Sequence, residues 1–284
     1  MVTTATSPAG GNTAGPHRCG GNHELRIRSA AAVAVGALAL SALALPSVQA
    51  APAAAPGGTR ISNVIVNGGK SIVVDSSGRA SVTVKLTASD PDGISDAGGI
   101  LYHGKDVNHD DWGVVLPSYG VHAVTSYTCT LVLKSTSDYR HFGVSKNAQA
   151  GTWKMWAYAN GLNNGHYVQI DPAKTFKVLR ATKLTVNATP EPVKKGKTIT
   201  ITGALTLANW ERHNCGGYAG QKVVLQFRKA GTTNYVNVKG IQSSRTGSLR
   251  TTVKAAQDGY YRFSYTGSPT AAPVAVAGDY VDVK

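Results

Sequence analysis

Short runs in which an apolar residue alternates with a polar one recur along the chain from residue 59 onward. In the run 197–205, Ile199 and Ile201 alternate with threonines. Successive side chains of a β-strand point to opposite faces, so a period of two gives a strand one buried and one solvated face. Gly, Asn, Asp and Pro clusters separate the runs, and no apolar pattern of helical period extends over ten residues. The chain is therefore predicted to be all-β.

The number and spacing of these runs predict two tandem immunoglobulin-like β-sandwich domains, 59–180 and 181–284. Seven short strands in about one hundred residues is the size and strand count of such a sandwich. The joint near Arg180 is short, so the domains are expected to sit end to end with restricted motion. The predicted strands are 61–66, 80–88, 125–134, 152–159 and 175–179 in the first half, and 183–188, 197–205, 222–228, 234–239, 248–254, 260–266 and 278–283 in the second.

The segment 1–50 is predicted to be a secretory signal peptide that is cleaved near Ala50. Arg26 and Arg28 precede an apolar run at 30–45, and a proline and a small-residue cleavage site follow it. That order is typical of export signals. A retained membrane anchor is the alternative, but the run is shorter than the roughly 20 apolar residues that a spanning helix needs.

Two flanking segments are interpreted with this signal. Residues 1–24 are an unusual extension ahead of the basic flank, which favours a misassigned start of translation. Residues 51–58 are an Ala, Pro and Gly spacer with the composition of a flexible tether. The mature protein is therefore expected to be secreted and to be extracellular or associated with the cell wall.

The positive charge is concentrated in the second half. Residues 59–180 contain twelve Lys or Arg and nine Asp or Glu, whereas 181–284 contain fourteen and five. Such a surface attracts polyanions, so an anionic cell-wall or extracellular polymer is a predicted partner. The alternative is that the charge only keeps the protein soluble. No basic stretch with interleaved aromatic residues of the kind found in single-strand binders is present, so no specific nucleic acid is predicted.

Closely spaced carboxylates in the first half are the strongest candidate for a metal site. Asp90, Asp92 and Asp96 lie within seven residues that are expected to form a loop between strands. Calcium binds six to eight oxygen ligands, and one Asp-rich loop can supply several of them. The alternative is turn chemistry, because Asp-Pro-Asp-Gly favours a turn without any metal. The spacing does not match an EF-hand.

No pattern in the chain indicates a reaction. His103, Asp106, His109 and Asp110 lie close in sequence but match no zinc signature, and a solvated polar loop is the preferred interpretation. HExxH, Cys-x-x-Cys and Gly-x-Ser-x-Gly are all missing from the sequence. The chain is therefore predicted not to be an enzyme and to need no cofactor, although active sites can be assembled from distant residues.

Two cysteines, Cys129 and Cys215, remain after the predicted cleavage, and they fall in different domains. Export to an oxidising space favours pairing, and such a bridge would lock the domains together. Sequence does not show whether their Cα atoms are close enough, so two buried free thiols are the alternative.

Three segments carry a resemblance to a known kind of protein. They are ATKLTVNATPEPVKKGK at 181–197, YAGQKVVLQFR at 218–228 and GDYVDVK at 278–284. They resemble a module common in secreted actinobacterial, Streptomyces-type proteins of two domains and unknown function, and the first half resembles the companion domain. The resemblance implies export, a pair of β-sandwiches and no established activity; such proteins are often labelled calcium-binding. Relatives tend to carry two nearby cysteines in the first domain, where this chain has Cys129 alone.

These observations predict a secreted, non-catalytic β-sandwich protein that acts by binding, outside the cell or at its envelope. The alternative is a calcium-binding extracellular module whose Asp-rich site stiffens the first domain. An enzyme without a recognisable motif is the least favoured alternative.

Overall fold

The computed structural model describes residues 58–107, 111–116, 124–133, 142–162 and 166–284, with side chains described outside 111–116, 124–133 and 142. The predicted signal peptide lies outside the described residues. Across the described ranges the regular elements are strands and two short 3-10 turns, Asn67–Gly69 and Asn147–Gln149. No helix in this part of the chain is long and apolar enough to span a membrane.

The first domain contains nine strands. They are β1 (Arg60–Val66), β2 (Ile72–Val74), β3 (Arg79–Ala80), β4 (Val82–His103), β5 (Asp111–Leu116), β6 (Val124–Leu133), β7 (Phe142–Gly143), β8 (Gly151–Gly161) and β9 (Tyr167–Arg180). Seven of them form one connected sheet in the order β1-β4-β8-β9-β2, with β5 and β6 also paired to β4.

The long strand β4 joins two parts of this sheet. Its first half pairs with β1 and β6, and its second half pairs with β5 and β8. The register shifts between Ser89 and Ile94, where Gly93 has a φ of +106° that glycine adopts without strain. The segment expected to be an acidic loop is thus a bulge inside a continuous strand, because pairing with β6 resumes at Ile94.

The second domain is a sandwich of two five-stranded sheets. Its strands are β10 (Thr182–Leu184), β11 (Asn187–Thr189), β12 (Thr198–Asn209), β13 (Asn214–Gly217), β14 (Lys222–Lys229), β15 (Val236–Gln242), β16 (Ser248–Lys254), β17 (Gly259–Tyr265), β18 (Val274–Ala275) and β19 (Asp279–Val281). β12 pairs with β10, β11, β13 and β16, and the other sheet runs β15-β14-β17-β18 with β19 also paired to β17.

Each domain surrounds its own apolar core. In β17 the residues Tyr261, Phe263 and Tyr265 point inward, and in β14 Val223 and Leu225 do the same. The two sheets of the second domain therefore bury the faces that the alternation predicted. The architecture is all-β, with two tandem immunoglobulin-like β-sandwich domains, as the sequence predicted.

The β12–β13 hairpin carries side chains of the second domain into the first. Trp210 is fully buried within the first core, and its indole N–H donates to the Val74 carbonyl at 3.3 Å. The Asn147 side-chain oxygen accepts from the Trp210 backbone N–H at 3.0 Å. Arg180 Nε donates to the Ala208 carbonyl at 2.6 Å, close to the predicted boundary. The joint thus consists of packing and hydrogen bonds as well as a short connection.

Candidate functional site

The carboxylates predicted as calcium ligands lie at and beyond the bulge of β4. Asp90 is almost fully buried, and its Oδ2 accepts a hydrogen bond from the Thr59 hydroxyl at 2.6 Å. Its Oδ1 accepts from the backbone N–H of Asp92 at 2.9 Å, and His166 Nδ1 lies 3.6 Å from Oδ2. The Asp92 side chain is exposed. Asp90 therefore already has protein partners on both oxygens.

Asp96 has protein partners as well. Its Oδ1 accepts from the Asn160 amide at 2.5 Å, and its Oδ2 accepts from the Tyr158 hydroxyl at 3.3 Å. Within the ranges that the structure describes, no three His, Cys, Asp or Glu side chains form a group that could hold a metal ion. Calcium at Asp90, Asp92 and Asp96 stays a prediction, and ligation by Asp90 would have to compete with Thr59. A calcium titration of the purified protein by calorimetry tests it.

The environment of Asp90 predicts how acid affects stability. The Thr59 hydrogen bond lowers the pKa of Asp90 below its usual value; burial opposes this, and the Asp92 amide and His166 lower the pKa further. Because the pKa of Asp90 is lower in the folded than in the unfolded protein, its ionised carboxylate stabilises the fold above about pH 4. This stabilisation is lost as the pH falls through the folded-state pKa. Asp90→Asn is expected to cost roughly 2 kcal/mol at pH 7 and to flatten this loss below pH 4. Urea denaturation at several pH values measures both effects.

Asp92→Asn is the matched control for that prediction, because Asp92 is exposed and two residues away. Its expected effect at pH 7 is within about 0.5 kcal/mol. Equal effects of the two substitutions would contradict a stabilising role for the buried Asp90 carboxylate.

The histidine-containing segment begins at His103, the last residue of β4. The His103 ring packs against Trp153, with ring centroids 5.7 Å apart. His109 and Asp110 lie outside the described residues. The solvated polar loop, preferred over a metal site, therefore stays a prediction.

The cysteine pairing is only partly described. Cys215 lies in β13 and is disulfide-bonded. Cys129 lies in β6, opposite Leu86 of β4, but its side chain is outside the described set. The Cys129–Cys215 bridge therefore stays a prediction, which titration of free thiols in the denatured, unreduced protein tests.

A row of arginine and tyrosine side chains crosses the outer face of the sheet that contains β14 and β17. Arg228 of β14 lies opposite Tyr260 of β17, and Tyr280 of β19 lies opposite Tyr260. Tyr235 immediately precedes β15, the strand on the other side of β14. Three strand spacings separate the backbones at the two ends of this row by about 14 Å. With Arg262, which lies on the same face, these residues form what we call the Arg–Tyr strip.

The strip is held together by stacking of guanidinium groups on tyrosine rings. The Arg228 Cζ lies 4.0 Å from the Tyr260 ring centroid and 5.3 Å from that of Tyr235. The Arg262 Cζ lies 3.6 Å from the Tyr235 centroid. Tyr260 and Tyr280 follow with centroids 5.1 Å apart. Both arginines thus contact one ring, and cation–π attraction favours this arrangement.

Hydrogen bonds fix the orientation of the two guanidinium groups. Arg262 Nε donates to Gln226 Oε1 at 2.8 Å, and the Gln226 amide donates to Asn237 Oδ1 at 2.8 Å. Arg228 Nη1 donates to the Thr232 carbonyl at 2.5 Å. These bonds use only some of the five N–H donors on each guanidinium. Arg228 also hydrogen-bonds with the side chains of Tyr235 and Tyr260, so a ligand would use the donors left over on the two guanidinium groups.

The charge of the strip is uncompensated at one end. No described carboxylate lies within ion-pair distance of Arg228 or Arg262. Hydrogen bonding to Tyr235 raises the pKa of Arg228, so its charge persists at every physiological pH. At the other end, burial raises the pKa of Tyr280, and the nearby carboxylates of Asp258 and Asp282 raise it further. The strip therefore runs from a cationic end to a neutral ring beside carboxylates.

A glycine permits the close approach of the Tyr235 hydroxyl to the backbone just before β19. A Cβ on Gly278 would lie 2.3 Å from the Tyr235 hydroxyl and 2.8 Å from Cβ of Tyr260. The backbone at 278 therefore approaches the strip closely enough to hold Tyr235 in place.

Sequence reasoning did not find the strip because its members come from four places in the chain. No linear stretch of the chain interleaves these basic and aromatic residues, whereas strand pairing in the sheet brings them together. The signal available was alternation: if Tyr261 and Phe263 of β17 point inward, Tyr260 and Arg262 must point outward.

The chain has little similarity to known proteins. No family model and no curated protein matches it. Similar solved structures include the fibronectin(III)-like modules of Clostridium thermocellum CbhA, at 13% identity and a TM-score of 0.33, covering 78% of this chain and 93% of that one. A marsupial T cell receptor matches at 13% identity and a TM-score of 0.35, covering 78% of this chain and 72% of that one. The D0-D1 domain of intimin matches at 12% identity and a TM-score of 0.26, covering 78% of this chain and 98% of that one.

At these identities and TM-scores, the similarity does not indicate what this chain binds or whether it has an activity. The immunoglobulin-like fold rests on the sheets and cores of this chain, and the resemblance to secreted actinobacterial modules stays a prediction.

Proposed function

We propose that this protein is a secreted, non-catalytic binding protein whose second domain binds anionic polymers outside the cell or at the cell envelope. The observation that carries the proposal is the cationic end of the Arg–Tyr strip. Arg228 and Arg262 hold two guanidinium groups on one tyrosine ring with no described carboxylate as counter-ion. An anionic ligand would relieve the repulsion between them and use their remaining donors.

The distribution of charge supports the same ligand class. The second domain carries fourteen basic and five acidic side chains, and the first carries twelve and nine. A surface of one sign raises the local concentration of oppositely charged polymers and speeds their association. The excess lies in the domain that carries the strip.

The proposed location rests on the sequence of residues 1–50. Two arginines, a short apolar run and a small-residue cleavage site occur there in the order typical of export. Cell-wall polymers that carry phosphate or carboxylate groups are accordingly the proposed class of partner.

Removing the two strip charges tests the proposed function. Arg228→Gln with Arg262→Gln is expected to weaken binding to purified bacterial cell wall about tenfold, because two charge-assisted contacts are lost. The matched control is Arg250→Gln with Lys254→Gln, which removes the same charge from exposed positions on β16. Sedimentation with cell wall at several salt concentrations measures the effect.

The control variant is expected to change affinity by less than about threefold, because distant exposed charges are screened by salt. Equal losses in the two double variants would mean that net charge, and not the strip, determines retention. Equal retention of the wild type on cell wall and on a carboxymethyl resin would contradict a specific wall partner.

A further inference from the structure

The Arg–Tyr strip contains tyrosine rings in addition to the two guanidinium groups that would bind a simple anion. Arg228 of β14 lies two strands from Tyr280 of β19, and Arg262 lies on β17, the strand between them. Tyr280 is 39% exposed, so part of its side chain is accessible to a ligand. The Arg228 Cζ lies 4.0 Å from the Tyr260 ring centroid, and the Tyr280 centroid lies 5.1 Å from the same centroid. A ligand that contacts both Arg228 and Tyr280 therefore covers Tyr260 and meets two kinds of group, a cation and an uncharged ring.

The carboxylates beside Tyr280 restrict the chemistry of that ligand. Asp282 lies two residues after Tyr280, and its carboxylate is 3.9 Å from the Lys284 ammonium. Asp258 precedes β17 and accepts a hydrogen bond from the backbone N–H of Val283 at 2.8 Å. Carboxylates repel phosphate and sulfate but accept hydrogen bonds from hydroxyl groups. The Tyr280 end is therefore complementary to a neutral, hydroxyl-bearing group.

We propose that the Arg–Tyr strip binds an acidic glycan, with an anionic substituent at Arg228 and Arg262 and a sugar ring against Tyr280. This inference rests on the proposed function and names the ligand of the same site. An acidic glycan provides both features that the strip requires, an anion and a hydroxyl-bearing ring with an apolar face. The complementarity is one of charge along the row.

Single-stranded nucleic acid is less well matched to the strip. Its phosphates recur at every nucleotide, so a strand along the row would place phosphate near the carboxylates of Asp258 and Asp282. Proteins that bind single strands stack successive bases on successive aromatic rings. In this row Tyr260 and Tyr235 already carry guanidinium groups on their rings, which leaves Tyr280 for stacking.

Two polyanions separate the contribution of the sugar ring from that of the charge. Hyaluronan has sugar rings with a carboxylate on alternate sugars, whereas inorganic polyphosphate has charge without rings. Tyr280→Ala is expected to weaken hyaluronan binding about fivefold and to leave polyphosphate binding within about twofold, because only the ring contact is lost. Tyr280→Phe keeps the ring and is expected to bind both within about twofold. Isothermal titration calorimetry of the full chain at constant ionic strength measures all four affinities.

The possible results distinguish this inference from the proposed function. If the wild type binds both polyanions and Tyr280→Ala weakens both equally or neither, the acidic-glycan proposal is overturned and the proposed function stands. If the wild type binds neither polyanion, both proposals are wrong. Tighter binding of single-stranded oligo(dT) than of hyaluronan, lost in Tyr280→Ala, would overturn the glycan in favour of nucleic acid. Circular dichroism confirms that each variant is folded.

Discussion

Trp210→Ala is expected to lower the free energy of unfolding by about 3–5 kcal/mol, the usual cost of truncating a buried aromatic side chain. Trp210 belongs to the second domain by sequence but is fully buried in the core of the first. The substitution removes its ring from that core and leaves the Val74 carbonyl without the indole donor. The cavity lies between elements that are far apart in sequence. Urea denaturation followed by far-ultraviolet circular dichroism measures the loss.

Trp156→Ala is the matched control for Trp210. Trp156 lies on the outer face of β8, partly exposed and stacked on Tyr158 with ring centroids 5.2 Å apart. Its truncation is expected to cost about 2 kcal/mol, less than that of Trp210, because part of its ring is in contact with solvent in the folded protein. If Trp210→Ala cost no more than this control, the hairpin tip would not be part of the first core. A second, separate unfolding transition in Trp210→Ala would identify the indole as the coupling between the domains.

The importance of Trp210 could not be predicted from its neighbours in sequence. It lies between Asn209 and Glu211, in a polar segment that reads as a surface turn. Asn147 of the first domain holds this segment by hydrogen bonds: its side-chain oxygen accepts from the Trp210 backbone N–H, and its side-chain amide donates to Asn209 Oδ1. A tryptophan in a polar turn becomes a core residue only when another domain provides the cavity, and local pattern contains no information about that.

The strands themselves were predicted well where the alternation was regular. The run 222–228 corresponds to β14 and 248–254 to β16, because each strand has one buried and one solvated face. The prediction failed at β4, where Asp90-Pro91-Asp92-Gly93 reads as a turn between strands. Partner strands on both sides of the bulge keep that segment within one strand. Tertiary pairing therefore overrode local turn chemistry.

Phe263→Ala is expected to lower the free energy of unfolding by about 3–5 kcal/mol through loss of packing between the two sheets of the second domain. Phe263 is fully buried in β17, opposite Leu225 of β14. A Cβ on Gly203 of the other sheet would lie 3.0 Å from the Phe263 ring, so the ring reaches across the sandwich to that backbone. Gly203 has no side chain with which to fill the cavity. Thermal and urea denaturation measure the loss.

Ser264→Ala, at the next position of β17, is the control, because Ser264 is on the outer face and partly exposed. Its expected effect is within about 0.5 kcal/mol. Phe263→Leu fills most of the cavity and is expected to cost less than about 1.5 kcal/mol while leaving cell-wall retention within about twofold. The inward residues of β17 position the strand, and the outward Tyr260 and Arg262 present the strip, so core repair should preserve binding. If Phe263→Leu were stable but lost retention as fully as the double arginine variant, the assignment of binding to the outer face would be wrong.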